Sequence, residues 1–485
     1  MRFRPRADIR TMRTLLDLAA PDAVRVSDLL GALSFALDLT EGQPMGHSLR
    51  TCLIGMSLAE RAGLSLVERR DLYYALILKD AGCSSNSARV FALFGGDERV
   101  AKHDFSRIDW SNYLRATQHA MSHVTPGASW FARACRVATL ARAGTRATSE
   151  LFETRCERGA DIVLQFGLGA RSAEAVRSLD EHWDGGGQPR GLSGAEIPML
   201  SRIAGLAQVL ERYLMSDGAR AALGIAQARA GRWFDPTLVR ALEGLEQRLT
   251  EFAALDESGL REAVRAAEPG GAALLAGSGT LDRIADGFAG VVDAKSPFTA
   301  RHSRQVAEVS IAISERLGFS PAQRRDLGRA ALLHDIGKLS VPNSILDKAG
   351  PLTAEEWQVV RMHPYYTLRI LNHIRGFETL ARVAAAHHER LDGRGYFLGL
   401  RAEQIPLEAR ILAAADIFEA LTSSRPYRPA LPEEVALRIM ERDRGVGLCG
   451  DCLDALWGVL EARDAPEEES RVSPLEDDTQ ERHAA

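Results

Sequence analysis

The sequence predicts an all-α protein made of two tandem helical bundles joined by a helical linker. Three observations predict it. The chain repeats itself, its apolar residues recur at helical intervals without strand-like alternation, and helix caps recur along it.

The repeat comes first. "GHSLRTCLIGMSLAERAGLSLVERRDLYYALILKDAG" (46–82) matches "RHSRQVAEVSIAISERLGFSPAQRRDLGRAALLHDIG" (301–337) without a gap at an offset of 255. "EHWDGGGQPRGLSGAEIPMLSRIAGLAQ" (181–208) matches "ERLDGRGYFLGLRAEQIPLEARILAAAD" (389–416) at an offset of 208. The difference places a net insertion of 47 residues in the first copy, between 83 and 180. The predicted organisation is a first domain over 1–253, a linker over 254–279, a second domain over 280–462 and a tail over 463–485. The linker carries the breakers "EPGG" and "GSG", so it reads as a helix with flexible ends. The tail is acidic and poor in large apolar residues, and it reads as disordered.

The elements follow from spacing and caps. "VAEVSIAISERLG" sets Val306, Val309, Ile311, Ile313 and Leu317 at helix-like intervals and stops at Gly318. "TAEEWQVVRMHP" opens with Thr353 and has Glu356 three residues later, a capping box. "PLEARILAAADIFEALTS" carries its apolar residues at helix spacing.

Composition bounds the class. The chain has 485 residues, 46% of them hydrophobic, and a net charge of −5, which fits a globular protein without a basic nucleic-acid surface. The N-terminus lacks the apolar core of a signal peptide, and no apolar run approaches a membrane span. A cytoplasmic protein is expected, with no membrane or direct nucleic-acid contact. Six cysteines are scattered, and only Cys449 and Cys452 form a C-x-x-C; with no second pair to complete a zinc site, reduced thiols are expected.

Chemistry concentrates in the second copy. "AALLHDIGK" drives an apolar run into His334, Asp335 and Lys338. With them come His302, His363, His387, His388 and Asp416. Each has a structural reading of its own: a cap for His302, a helix end for His363, a solvated side chain for Lys338. Asp416 is harder to explain so, because a lone carboxylate in an apolar helix is costly. Imidazole and carboxylate together suit iron, manganese, zinc or nickel better than calcium. Residues spread over several helices fit a metal site at a bundle centre. Helix geometry turns neighbours about 100° apart, so His334 and Asp335 are expected to flank a metal cluster, not to share one face of it. Lys338 shares their general face and would stabilise phosphoryl charge.

These motifs resemble the HD-GYP family of the HD phosphohydrolase superfamily. The resemblance rests on "HSRQVAEV", "LLHDIGKLSVPNSILDKAGPLTAEEWQVVRMHP", "HHERLDGRGYFLGL" and "IPLEARILAAADIFEALTSSRPYRPAL", and covers most of 298–435. The tandem layout resembles bacterial proteins that pair a degenerate HD domain with an HD-GYP domain. The resemblance implies metal-dependent hydrolysis of a cyclic dinucleotide, chiefly cyclic di-GMP, to pGpG or GMP. It implies metal ligands at His302, His334, Asp335, His363, His387, His388 and Asp416, with Asp335 bridging two divalent ions. Iron or manganese is expected, with zinc or nickel as alternatives. The family lysine falls on Lys338, and Arg425, Arg428 and Tyr396 fall on substrate-contact positions. The bare alternative for the two arginines is a solvated pair after a helix end. Two positions depart from the family: Phe397 replaces the proline of Gly-Tyr-Pro, and Phe298 stands where some members carry a glutamate for a third ion.

The first copy keeps only His47 and Asp80. Lys79 replaces the doublet histidine, Cys83 replaces the lysine, Leu179 and Asp180 replace the paired histidines, and Gln208 replaces Asp416. His182 falls opposite Arg390, and "KHDF" with His103 and Asp104 lacks the apolar lead-in of the true doublet. This half reads as non-catalytic: a scaffold, a sensor, or a surface for a protein partner or self-association. The alternatives for the whole chain are a phosphohydrolase of another nucleotide or phosphoester, and a non-catalytic signalling adaptor.

Overall fold

The computed structural model describes residues 24–94, 149–270, 274–299, 301–424 and 428–464. Arg425, His103, Asp104, Cys135, most of the insertion and the tail from 465 lie outside the described residues. The predicted all-α architecture is found. Among the described residues the only strands are Val24–Arg25 and Leu275–Ala276, a two-residue antiparallel pair.

The repeat is visible as matched elements. His47–Arg61 corresponds to His302–Arg316, and Leu66–Leu78 to Pro321–Leu333. Ala170–Arg177 corresponds to Glu378–Ala385, and Met199–Asp217 to Leu407–Thr422. The same local devices build both copies. Ser65 and Ser320 each close a capping box at the start of the second pair. Asp38 and Asp293 each accept a 2.7 Å hydrogen bond from the hydroxyl of Ser48 or Ser303 in the following helix.

The two halves share one continuous apolar core, from Val24 to Leu460. Phe166 stacks on Phe288 across the boundary at 5.5 Å, and Phe35 of the helix Val26–Thr40 packs against His373. The predicted linker helix is present as Glu257–Ala266, and it is a packed element. Its Leu260 and Val264 are buried, and its Glu257 pairs with Arg369 at 2.8 Å and His373 at 2.8 Å of the second half. Tyr73 donates to the carbonyl of Val264 at 3.1 Å, so the linker is fastened to both bundles.

Candidate metal centre

The doublet sits where a helix ends. Pro321–Leu333 stops at Leu333, His334 is its C-cap, and Ile336–Ser340 winds on as a tighter 3-10 turn. This corrects the angular expectation. The 100° rule holds along an unbroken α-helix; here the turn swings Asp335 back, and His334 Nε2 lies 3.3 Å from Asp335 Oδ2. Gly337 permits that turn, because a Cβ there would lie 2.0 Å from the carbonyl oxygen of His363. Thr367 locks it by donating to the His334 carbonyl at 2.8 Å and accepting from Gly337 N–H at 3.1 Å.

Four more elements complete the ring. His302 begins the helix His302–Arg316, and His363 begins His363–Leu371. His387 and His388 follow the end of Glu378–Ala385, and Asp416 projects from Leu407–Thr422. Asp335 divides its two oxygens between them. Oδ2 lies 3.4 Å from His302 Nε2 and 3.3 Å from His334 Nε2. Oδ1 lies 3.5 Å from His363 Nε2 and 3.8 Å from His387 Nε2. Asp416 Oδ1 is 3.4 Å from His302 Nε2. Donor atoms of His302, His334 and Asp335 converge within 4.8 Å, as do those of His363, His387 and His388.

Backbone carbonyls orient the imidazoles. Nδ1 of His334, His363 and His387 lies 2.6, 2.7 and 2.6 Å from the carbonyls of Ala331, Val360 and Ala384. Donation there leaves each Nε2 with its lone pair turned inward. His302 Nδ1 is instead held by the carboxylate of Glu419, a buried residue that the sequence reading missed. Its signal was present: Glu419 follows Asp416 by one helical turn and has a counterpart, Glu211, in the first copy.

The side chains fit a divalent cation. His302 Nε2, His334 Nε2 and Asp335 Oδ1 are buried without a hydrogen-bond partner, an arrangement that costs stability unless a ligand satisfies it. The mixed nitrogen and oxygen donors suit a first-row transition metal. Burial pushes the His363 and His387 imidazoles down to about 3 and His388 well below its usual range. Burial also opposes protonation of His302, but Asp335 and Glu419 outweigh it and raise that imidazole to about 9. Burial would raise the Asp335 carboxyl, yet His334 and Lys338 hold it well below the usual range.

The remaining candidates divide. Lys338 reaches Asp335 through its ammonium. Tyr396 lies over His388 with ring centroids 4.5 Å apart, and Arg361 lies over the Tyr396 ring at 5.6 Å. Arg428 donates to the carbonyls of Ala420, Leu421 and Pro429, so its described contacts cap the helix end and none reaches the histidine ring. Phe397 stands in the left-handed region at φ 93 and packs on Tyr365. The loop that carries it is fastened by buried Glu389, which accepts from the amides of Leu398 and Leu400 at 2.7 and 2.9 Å. Glu181 does the same for Arg190 and Leu192 in the first copy.

Residues 135–238 and 288–448 match the HD domain family. Over 441 residues the chain is 41% identical to a Vibrio cholerae protein named 3'3'-cGAMP-specific phosphodiesterase 3, covering 91% of this chain and 96% of that one. The chain belongs to the HD-GYP family of HD phosphohydrolases. It is a metal-dependent phosphohydrolase of the cyclic-dinucleotide phosphodiesterase type. The crystal structure of a cyclic GMP-AMP specific phosphodiesterase of V. cholerae superposes with a TM-score of 0.63 at 38% identity, covering 91% of this chain and 98% of that one. A cyclic di-GMP phosphodiesterase of Pseudomonas aeruginosa is 42% identical over 149 residues, 30% of this chain and 36% of that one.

In the first half of this HD-GYP protein the same pocket is filled by the chain's own cations. Lys79 Nζ lies 2.9 Å from His47 Nε2 and also pairs with Asp80. Gly82 repeats the close approach of Gly337, here against the carbonyl of Arg155, which identifies Arg155 as the counterpart of His363. Arg155 pairs with Asp180, the counterpart of His388. Glu211 still holds His47, now shared with Arg50 at 2.7 Å. Glu41, Asp80 and Cys83 converge within 4.8 Å, but Arg155 and Arg212 add positive charge beside them.

Proposed function

We propose that the second half hydrolyses a cyclic dinucleotide, with His302, His334, Asp335, His363, His387, His388 and Asp416 as ligands of two divalent ions. The observation that carries this reading is the division of the Asp335 oxygens between two adjacent histidine pairs, His302 with His334 and His363 with His387, which suits a bridging carboxylate. Iron or manganese bound there would supply a water of lowered pKa and polarise the phosphate oxygens. The chain's own residues do the rest. Nδ1 hydrogen bonds keep the imidazoles in the ligating tautomer. Lys338, beside Asp335, is placed to neutralise charge that builds on the phosphate. Tyr396, Arg361 and the half-exposed Trp357 form an aromatic and cationic ledge beside His388, suited to a nucleobase and a second phosphate.

The first substrate to test is 3'3'-cGAMP, because a match that spans both halves is to a phosphodiesterase named as specific for it. Cyclic di-GMP is the second, favoured by shorter matches to cyclic di-GMP phosphodiesterases. Both substrates are to be incubated with full-length protein reconstituted anaerobically with Fe²⁺ or Mn²⁺, and products separated chromatographically. Linear dinucleotide is expected from wild type and none from His334→Ala. Fully metallated protein that turns over no cyclic dinucleotide would overturn the proposal. The first half, with Lys79 and Arg155 in ligand positions, acts as a non-catalytic partner domain.

A further inference from the structure

Cys449 and Cys452 play no part in the metal centre. They lie at the start of the last helix, Gly450–Asp464. The first half contains the same construction. Ala230 bridges Phe234 as Arg444 bridges Leu448, and Gly231 N donates to Phe234 O as Gly445 N donates to Leu448 O, at 2.9 and 2.8 Å. The next residues are Asp235 and Cys449. Each offers its carbonyl to the amide four residues on, Val239 or Leu453, at 3.1 Å. Cys449 therefore occupies the position of Asp235.

Asp235 shows what that position demands. It caps the helix Pro236–Arg240 by accepting from Thr237 N–H at 2.8 Å, and it pairs with Arg202 at 2.9 Å. Arg410 occupies the position of Arg202 at the same offset of 208 that relates the neighbouring elements. An anion is favoured there by the helix N-terminus, and the Arg410 guanidinium, which donates to the carbonyls of Ala402 and Ile405, adds positive charge nearby. A neutral thiol fills the role poorly; a thiolate fills it well.

The surroundings of Cys449 agree. Its sulfur takes a hydrogen bond from the Cys452 thiol and others from the amides of Cys452 and Asp451, with Arg410 adding positive charge. These outweigh burial and bring the thiol down to about 6. The same hydrogen bond and burial push Cys452 well above its usual range, as befits the donor. Residues three apart in a helical turn have Cβ atoms about 5–6 Å apart, and a disulfide needs about 3.5–4.5 Å, so closing the bond requires the first turn of the helix to shift by about 1–2 Å. Cys449 is 5% exposed and Cys452 0%, so the burial excludes a bulky disulfide and leaves a small oxidant as the one to test at Cys449.

We propose that Cys449 and Cys452 form a peroxide-sensitive dithiol, with Cys449 as the attacking thiolate and Cys452 as the resolving thiol. The Cys449 sulfur attacks one oxygen of hydrogen peroxide; the O–O bond breaks, a sulfenic acid forms, and hydroxide leaves. The Cys452 sulfur, releasing its proton, then attacks the Cys449 sulfur. The S–S bond forms and the S–O bond breaks, with the oxygen leaving as water. The two thiols lose two electrons, and one peroxide is reduced to two waters once the hydroxide is protonated.

The test uses reduced full-length protein exposed to hydrogen peroxide, then denatured, alkylated and mapped by mass spectrometry. The peptide with Cys449 and Cys452 is expected to escape alkylation and lose two hydrogens, while buried Cys52 stays alkylated. Oxidation of the pair is expected to be about tenfold or more faster than that of Cys52, following its thiolate fraction. In Cys452→Ser, dimedone should label Cys449 as a sulfenic acid. Cys449→Asp, which restores the first-half arrangement, should melt like wild type and leave Cys452 alkylatable after peroxide. Both thiols remaining alkylatable in folded, peroxide-treated wild type would overturn the proposal. So would a disulfide that appears only after unfolding, or an alkylation rate for Cys449 with a midpoint above about pH 8, the range of an ordinary thiol.

Discussion

The ammonium of Lys79 lies 2.9 Å from Nε2 of His47, the ring nitrogen that its counterpart His302 turns toward Asp335 and Asp416. A covalently tethered cation thus stands in the first half where the second half gathers the atoms we propose as metal ligands. The two pockets keep one framework and differ in where their positive charge comes from.

Lys79→Met removes that charge and leaves the Asp80 carboxylate buried. Loss of one partner of a buried ion pair costs about 3–5 kcal/mol. Denaturant unfolding is expected to show a loss of this size, while the metal content of the purified protein stays unchanged. A variant as stable as wild type would contradict the assignment of Lys79 as the cation that balances buried Asp80.

Glu419→Gln tests the residue that the sequence reading missed. The carboxylate holds His302 through Nδ1, and loss of such a contact lowers metal affinity by about 10–100-fold. Competition with a chelator is expected to show this drop with the fold intact. Glu211→Gln, in the matching position, is expected to weaken the first half through His47 and Arg50 without touching metal affinity.

Gly337→Ala places a Cβ against the carbonyl of His363, and Gly82→Ala does the same against Arg155. Overpacking of this kind costs about 1–3 kcal/mol. Both variants are expected to lose stability in a thermal melt. Only Gly337→Ala is expected to lose metal, because only there does the displaced backbone carry a ligand.

Phe397 has φ 93, which proline, fixed near −65°, cannot adopt. Restoring the family proline with Phe397→Pro is therefore expected to remodel the loop beside Tyr396. Steady-state kinetics should show a larger change in KM than in kcat for both cyclic dinucleotides. Phe397→Gly relieves the strained backbone, a strain worth about 1–3 kcal/mol, and should retain the loop.

Metal uptake is linked to protons through His302. In the metal-free site that imidazole is raised to about 9, so it is charged at neutral pH, whereas His363 and His387, lowered to about 3, are already neutral. Ligation needs the neutral ring, so binding at pH 7 is expected to release about one proton. Calorimetry in buffers of different ionisation enthalpy measures it. Affinity should rise with pH and level off above about 9; uptake without proton release at pH 7 would contradict the coupling.

The sequence alone determined the all-α class, the internal duplication and the set of histidines and aspartates, because helical periodicity, caps and ionisable residues in apolar runs are local signals. It also showed which half had lost that set. Tertiary structure decided how the set is used. The angular argument for His334 and Asp335 failed because the helix ends at Leu333, a choice fixed by the approach of Gly337 to His363 from a distant segment. Glu419 was marked in the sequence only by its repeat at Glu211 and its place one turn after Asp416; folding gave it a role by burying it against His302, 117 residues away in the chain. Arg428 looked like a phosphate contact and is engaged by helix-end carbonyls. The linker helix became part of the core once Leu260, Val264 and Glu257 met partners from both halves. Spacing along a chain fixes which residues can share an element; only packing between elements fixes which of their atoms meet.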